Sequence, residues 1–189
     1  KIIPDISNYK MTYFVRGQEV PMNVVREIKK EIIGNKEAIL IIDKVSGMMS
    51  GTDSLFVDAK TLLPIERTIH QGPAKISLQF GEKSVTGKMI SGAQEMPINY
   101  TAENSFVTDG SGLDFAIRSL DFSKTPKFKI LQFNLMEATA KEVLVEYKGE
   151  EKVKINAGEF DVIIVDIKTV GVEDDLSTFR FEKNSRKLI

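Results

Sequence analysis

The sequence has no cysteine and no tryptophan, and His70 is its single histidine. Without cysteine there is no disulfide, no thiol nucleophile and no cysteine zinc site, and one histidine cannot build a polyhistidine metal centre. Long apolar runs are missing as well. The longest, Ala38 to Ile42 and Val162 to Val165, have the length of strands and fall far short of the roughly 20 residues that a membrane-crossing helix needs. No charge of one sign dominates: 26 Lys and Arg stand against 27 Asp and Glu, interspersed along the chain. Nucleic-acid affinity requires a basic face that neutralises phosphates. The local excess at Lys124, Lys127 and Lys129 reads as a solvated edge, so no nucleic-acid partner is expected.

Signatures of catalysis and phosphate binding are also wanting. His70 precedes the turn Gln71-Gly72-Pro73 and should end a strand at the surface, and no Gly-x-Ser-x-Gly elbow supplies a nucleophile for it. Asp109-Gly110-Ser111-Gly112 lacks the lysine and hydroxyl of a P-loop and does not match the dinucleotide spacing; it reads as a cap-forming turn. Glu173-Asp174-Asp175 offers carboxylates without the alternating ligand spacing and glycine of a calcium loop, and reads as a hairpin tip. The expectation is a protein that is not an enzyme and that carries no metal or cofactor.

What the chain does have is period-two alternation. Tyr9, Met11, Tyr13 and Val15 alternate with Asn8, Lys10, Thr12 and Phe14, and Ile65, Arg67 and Ile69 alternate with Glu66, Thr68 and His70, the mark of half-buried strands. Ile76, Leu78 and Phe80 follow, then Val85 and Met89, with Gly81-Glu82-Lys83 as a hairpin connection. Phe128 to Leu135, Val143 to Tyr147, Val153 to Ile155, Phe160 to Thr169 and Thr178 to Phe181 repeat the pattern at short intervals. Asn23 to Ile33 fits both a helical face and a strand. The turn dipeptide Gly34-Asn35 and the β-branched run that follows favour the strand; as a helix, Gly34 would be its C-cap. One segment reads as helical, Ser111 to Leu120, with Ser111 as the cap, Asp114 as an acidic partner, and Leu113, Ile117 and Leu120 on one stripe. With Phe115 and Ala116 beside that stripe, the helix should lie on the apolar face of the sheet.

The fold class predicted is therefore mainly β: a strongly curved antiparallel sheet, an open or unclosed barrel, wrapped over one helix. A single domain over 1–189 is expected, since no linker-like break occurs, and at this length folding buries roughly 70% of the extended surface without staples. The first residue is Lys1, which suggests a mature chain from which a leader has been removed.

Three stretches carry a family resemblance. Leu55-Phe56-Val57-Asp58 followed by Leu62-Leu63-Pro64, then Val153-Lys154-Ile155-Asn156-Ala157-Gly158-Glu159-Phe160, and the ending Phe179 through Arg186-Lys187-Leu188-Ile189 resemble a family of exported bacterial proteins of unknown function. Its members are similar in fold to the lipoprotein carriers of the LolA and LolB type. The most specific piece is the Ala157-Gly158-Glu159-Phe160 step into a long strand, where Gly158 permits a sharp turn before Phe160 is buried. Pro64, which cannot donate to a ladder, marks an edge or a strand start. Where such proteins carry an aromatic, often Trp, near the closing strand, this chain has Phe179 and Phe181. The resemblance implies a removed signal peptide, a periplasmic or outer-membrane-associated location, and no catalytic residues to carry over.

On an open, curved sheet the concave face would be lined by one alternating set, with Phe80, Met89, Phe133 and Phe160 as candidate ligand-binding residues. Methionine adapts to irregular ligands and an open β-mouth suits an apolar molecule, although alternating apolar side chains more often make core. Three functions follow in order: a carrier of a lipid or other apolar ligand, a cell-envelope protein-interaction module with an exposed patch or sheet edge, and, last, a hydrolase built on carboxylates or His70.

Overall fold

Period-two alternation becomes strand along most of the chain. The computed structural model of the protein describes residues 4–15, 18–47, 50–172 and 175–189. Its contacts gather into two compact units, Lys1–Ser105 and Phe106–Ile189.

The first unit is a meander of eight strands: β1 (Asp5–Val15), β2 (Gln18–Ile33), β3 (Lys36–Gly47), β4 (Gly51–Asp58), β5 (Pro64–Gln71), β6 (Ala74–Phe80), β7 (Ser84–Ser91) and β8 (Gln94–Thr101). Each pairs antiparallel with the next in chain order, and among the described residues β1 and β8 do not pair with one another, so the sheet stays an open half-barrel. The segment that also fitted a helix lies within β2. Ile33 pairs with Lys36 across the two-residue turn Gly34-Asn35, and Gly34 has φ 60°, the left-handed conformation that such hairpin turns demand. Gly81-Glu82-Lys83 joins β6 to β7 as expected, closed by the Gly81 N–H on the Ser84 carbonyl at 2.8 Å. Pro64 is the first residue of β5, where its missing donor costs nothing.

Two glycines set how closely the strands approach. A Cβ on Gly87 would overlap the Ser77 carbonyl oxygen and stand 3.0 Å from the Leu78 Cα, and one on Gly51 would stand 2.5 Å from the His70 carbonyl oxygen. Glycine inside a strand is otherwise unfavourable, and it marks a site where another backbone comes near. On the inward positions Ile41, Leu55, Val57, Leu78 and Val85 are completely buried, each contributing about 1.5–3 kcal/mol relative to exposure.

The second unit holds β9 (Val107–Thr108), α1 (Ser111–Arg118), β10 (Lys127–Asn134), β11 (Thr139–Ile155), β12 (Gly158–Thr169) and β13 (Leu176–Glu182). They form a five-stranded sheet in the order β13-β12-β11-β10-β9, antiparallel except for the short β9–β10 pairing. The helix packs on one face of this sheet: Leu113, Ala116 and Ile117 join Val143, Val145, Ile163, Val165 and Phe181 in one cluster, with Leu120 against it. The expected apolar stripe is thus in place.

Three expectations need correction. Ser111 is not the cap: Gly110 holds that position with φ 62° and ψ −126° and no side chain caps the helix, because a backbone in that region accommodates glycine and little else. Asp114 instead forms a buried pair with Arg118 one turn on, with Nε–Oδ1 2.8 Å and Nη2–Oδ2 3.0 Å, and the guanidinium lies 4.7 Å over the Phe115 ring. Val143 to Tyr147 and Val153 to Ile155 are one strand, β11, continued through a bulge between Tyr147 and Gly149, where Gly149 takes φ 133°. Phe160 is half-buried and not core; it sits near the tip of the β11–β12 hairpin, its ring folded back to 3.7 Å from where a Gly158 Cβ would be. Gly158 itself has φ 136°, which is the turn anticipated for it.

Candidate functional site

The register of the eight-stranded sheet places residues in rows that cross the strands on its buried face. One row runs Ile28, Ile41, Leu55, Arg67, Leu78, Gly87 and Ile98, each the direct partner of the next. It is buried apart from the half-buried Gly87, and apolar apart from Arg67, the one charge within it. The adjacent row runs Ser7, Arg26, Asp43, Asp53, Ile69, Ile76, Met89 and Met96. Its first half is polar and its second apolar. The third row, Tyr9, Val24, Val45, Gly51, Gln71, Ala74, Ser91 and Gln94, turns polar over β5 to β8 and forms a rim there. Burial falls in the same order: Leu78 is enclosed, Ile76 and Met89 are half-buried, and Met96 is 42% exposed.

Three charges, Arg26, Asp43 and Asp53, occupy the polar half, and Arg67 reaches them from the neighbouring row. Arg26 grips Asp43 side-on, Nε–Oδ1 2.6 Å and Nη2–Oδ2 2.7 Å, and Arg67 grips Asp53 in the same way at 3.0 and 2.7 Å. Asp43 and Asp53 face each other across β3 and β4. Like charges directly opposite on a sheet repel, and a guanidinium on the outer side of each offsets this through bidentate, charge-assisted bonds. The Arg26 guanidinium also lies 5.6 Å from the centre of the Tyr9 ring, and the Tyr9 hydroxyl, buried, has no hydrogen-bond partner among the described residues.

Of the residues singled out from the sequence, Phe80 and Met89 share this face on neighbouring strands, with the Leu78–Gly87 row between them. Phe133 and Phe160 belong to the other unit. Phe133 is fully buried on the side of its sheet away from the helix, with the Phe106 ring 5.9 Å from it, and Phe160 is at the hairpin tip described above. The Arg–Asp groups were missed, yet a signal existed. Arg67 has the parity of Ile65 and Ile69, and Arg26 that of Val24 and Ile28, so each puts a charge at an apolar position of its strand.

The remaining candidates are placed as follows. His70 is exposed, next to the end of β5. Lys124, Lys127 and Lys129 are paired with Asp121, Glu146 and Glu142 at 2.8, 3.2 and 2.8 Å. Glu173 and Asp174 lie outside the described residues. Among those described, no group of three or more His, Asp or Glu is placed to hold a metal, and no helix is long and apolar enough to cross a membrane. A shallow open concavity lined by Lys36, Glu37, Asp58, Ala59 and Lys60 is charged almost all round and unsuited to an apolar guest.

Residues 8–188 match the family described as Protein of unknown function (DUF3108). The chain belongs to that family. None of the curated proteins matches its sequence. Among solved structures it is similar to a beta-barrel-like protein of the domain of unknown function DUF1849 from Brucella abortus, with a TM-score of 0.60 and 10% sequence identity over 100% of this chain and 90% of that one. At that identity the likeness shows the fold: mainly β, one helix, a curled antiparallel sheet.

Proposed function

We propose that this DUF3108 protein is a non-catalytic, exported protein that binds a lipid or another apolar ligand on the buried face of its eight-stranded sheet. The observation that carries this is the half-open apolar stripe Ile69, Ile76, Met89 and Met96, which continues an enclosed apolar row outward to a polar rim. An apolar guest on that stripe removes exposed hydrocarbon from water at about 25 cal/mol per Å², and two methionines let the surface adapt to chains of different shape. The three sequence stretches that resemble an exported bacterial family, itself similar in fold to carriers of the LolA and LolB type, favour the same function and a periplasmic or outer-membrane-associated location. No cofactor is required, and no enzymatic step is assigned to His70 or to the carboxylates.

Native mass spectrometry of the gently purified protein, before and after solvent extraction, tests this. A lipid-sized adduct that extraction removes is the expected result; a chain that is bare and stays bare when offered lipids would overturn it. In that event the second function, a cell-envelope interaction module, takes over. It is favoured by one observation: β8 pairs only with β7 among the described residues and so offers a free edge for strand addition.

A further inference from the structure

The half-open stripe is bounded on every side. Ile69, Ile76, Met89 and Met96 are direct partners across β5 to β8, and three interstrand steps of roughly 4.8 Å make the stripe about 14 Å long. Along the strands, neighbouring rows lie two residues, about 7 Å, apart. On one side stands the enclosed row of Leu78 and Ile98, on the other the polar row of Gln71, Ser91 and Gln94. The open apolar width is therefore that of one hydrocarbon chain and not of two side by side. At one end the direct partner of Ile69 on β4 is Asp53, a carboxylate bonded to Arg67, and hydrocarbon laid against it would take an ionised group further out of water. At the other end Met96, 42% exposed, belongs to β8, which pairs only with β7 among the described residues. The rim carries no charge: residues 71–74 and 91–94, which make the turns on the polar side, include no acidic or basic side chain.

We propose that the stripe selects an amphiphile with a single chain of about 12 carbons and an uncharged polar head. An extended chain advances about 1.25 Å per carbon at ordinary bond lengths and angles, so about 12 carbons cover the four side chains. The methyl end lies against Ile69 and the head at the open β8 end, beside Gln94. Hydroxyls of such a head exchange hydrogen bonds with the Gln94 amide and the Ser91 hydroxyl, whereas a charged head finds no counter-charge there to replace its water. A longer chain runs past Met96 into solvent or against Asp53 and gains nothing. This inference rests on the apolar-ligand function proposed above.

The test titrates octyl, dodecyl and hexadecyl maltoside, with dodecanoate and dodecylammonium as charged counterparts, onto the full chain below their micelle concentrations. A stripe that covers one side of the chain makes each added methylene worth about a twofold gain in affinity, half of its full transfer. Dodecyl maltoside should therefore bind about 16-fold tighter than octyl maltoside, and hexadecyl maltoside within about twofold of dodecyl. Neither charged dodecyl probe should bind tighter than the maltoside. Met96→Gln, at an exposed site on the edge strand where folding is not at stake, should shorten the stripe by one strand and bring dodecyl and octyl maltoside to within about twofold of one another. Affinity that keeps climbing from dodecyl to hexadecyl, equal binding of all three maltosides, or a charged probe about tenfold tighter than the maltoside would overturn this selectivity and leave the apolar-ligand function intact. Binding of no probe would overturn both this inference and the function on which it rests.

Discussion

Arg67 stands between Leu55 and Leu78 in an apolar row, held there by Asp53. Removing one partner of such a pair leaves a buried charge uncompensated, at about 3–5 kcal/mol, whereas removing both is often neutral or better. Arg67→Leu alone should therefore lower the urea midpoint far more than Arg67→Leu combined with Asp53→Leu. A double variant as unstable as the single one would mean that the pair stabilises the sheet. Two apolar truncations separate core from tip. Leu55→Ala, at a fully enclosed site, should cost about 2–5 kcal/mol on denaturant titration. Phe160→Ala, at a half-buried one, should cost about 1–2 kcal/mol instead of the roughly 3–5 of a core phenylalanine.

Turns and close approaches decide at the scale of elements. Gly87 lies where a Cβ would meet the Ser77 carbonyl, so Gly87→Ala should force β6 and β7 apart; loss of the cooperative unfolding transition by circular dichroism is the expected outcome. The loop from β4 to β5 is organised by Asp58, whose Oδ1 accepts the N–H groups of Lys60 at 2.9 Å and Thr61 at 2.8 Å and the Thr61 hydroxyl at 3.1 Å. The Thr61 N–H, foremost among these donors, holds the Asp58 carboxyl below its ordinary value against the opposing effect of burial. A depressed carboxyl adds stability that is complete above the unfolded value near pH 4 and is lost as pH falls through the lower folded one. Asp58→Asn keeps the acceptor and removes the titration, so its urea midpoint should fall less between about pH 6 and pH 2.5 than that of the parent chain.

These elements also show what alternation can and cannot disclose. The β2–β3 hairpin was legible because Gly34-Asn35 supplies turn chemistry between two runs of apolar parity, and α1 because its stripe has the period of a helix. The continuity of β11 was not legible. Gly149-Glu150-Glu151-Lys152 interrupts the apolar pattern, and the strand persists because a bulge shifts its register and because Lys183 and Arg180 pair with Glu150 and Glu151 at 2.6 and 2.5 Å. Those partners are about 30 residues away along the chain, beyond any local pattern. For the same reason the parity of Arg26 and Arg67 could be read from the sequence, but their aspartates could not.

For the whole molecule, the strands divide between an eight-stranded and a five-stranded sheet, a division set by strand pairing and invisible to alternation. Of the four ligand contacts expected from the sequence, Phe80 and Met89 fall in the first unit and Phe133 and Phe160 in the second. Phe133 is enclosed against Phe106, while Met89 stands in the half-open row with Ile76 and Met96. The ligand site proposed here is therefore narrower than the one expected, and it is confined to the first unit. Family membership and the likeness to a beta-barrel-like protein fix the architecture and leave the ligand to experiment.

The most direct measurement is a peptide map of the protein after photo-crosslinking with a diazirine-bearing fatty acyl probe. Label concentrated on the peptides that carry Ile69, Ile76, Met89 and Met96, and reduced when Met89 and Met96 are replaced by glutamine, is the result predicted. Label spread evenly over the chain, or gathered elsewhere and indifferent to those replacements, would contradict the assignment of this face as the ligand site.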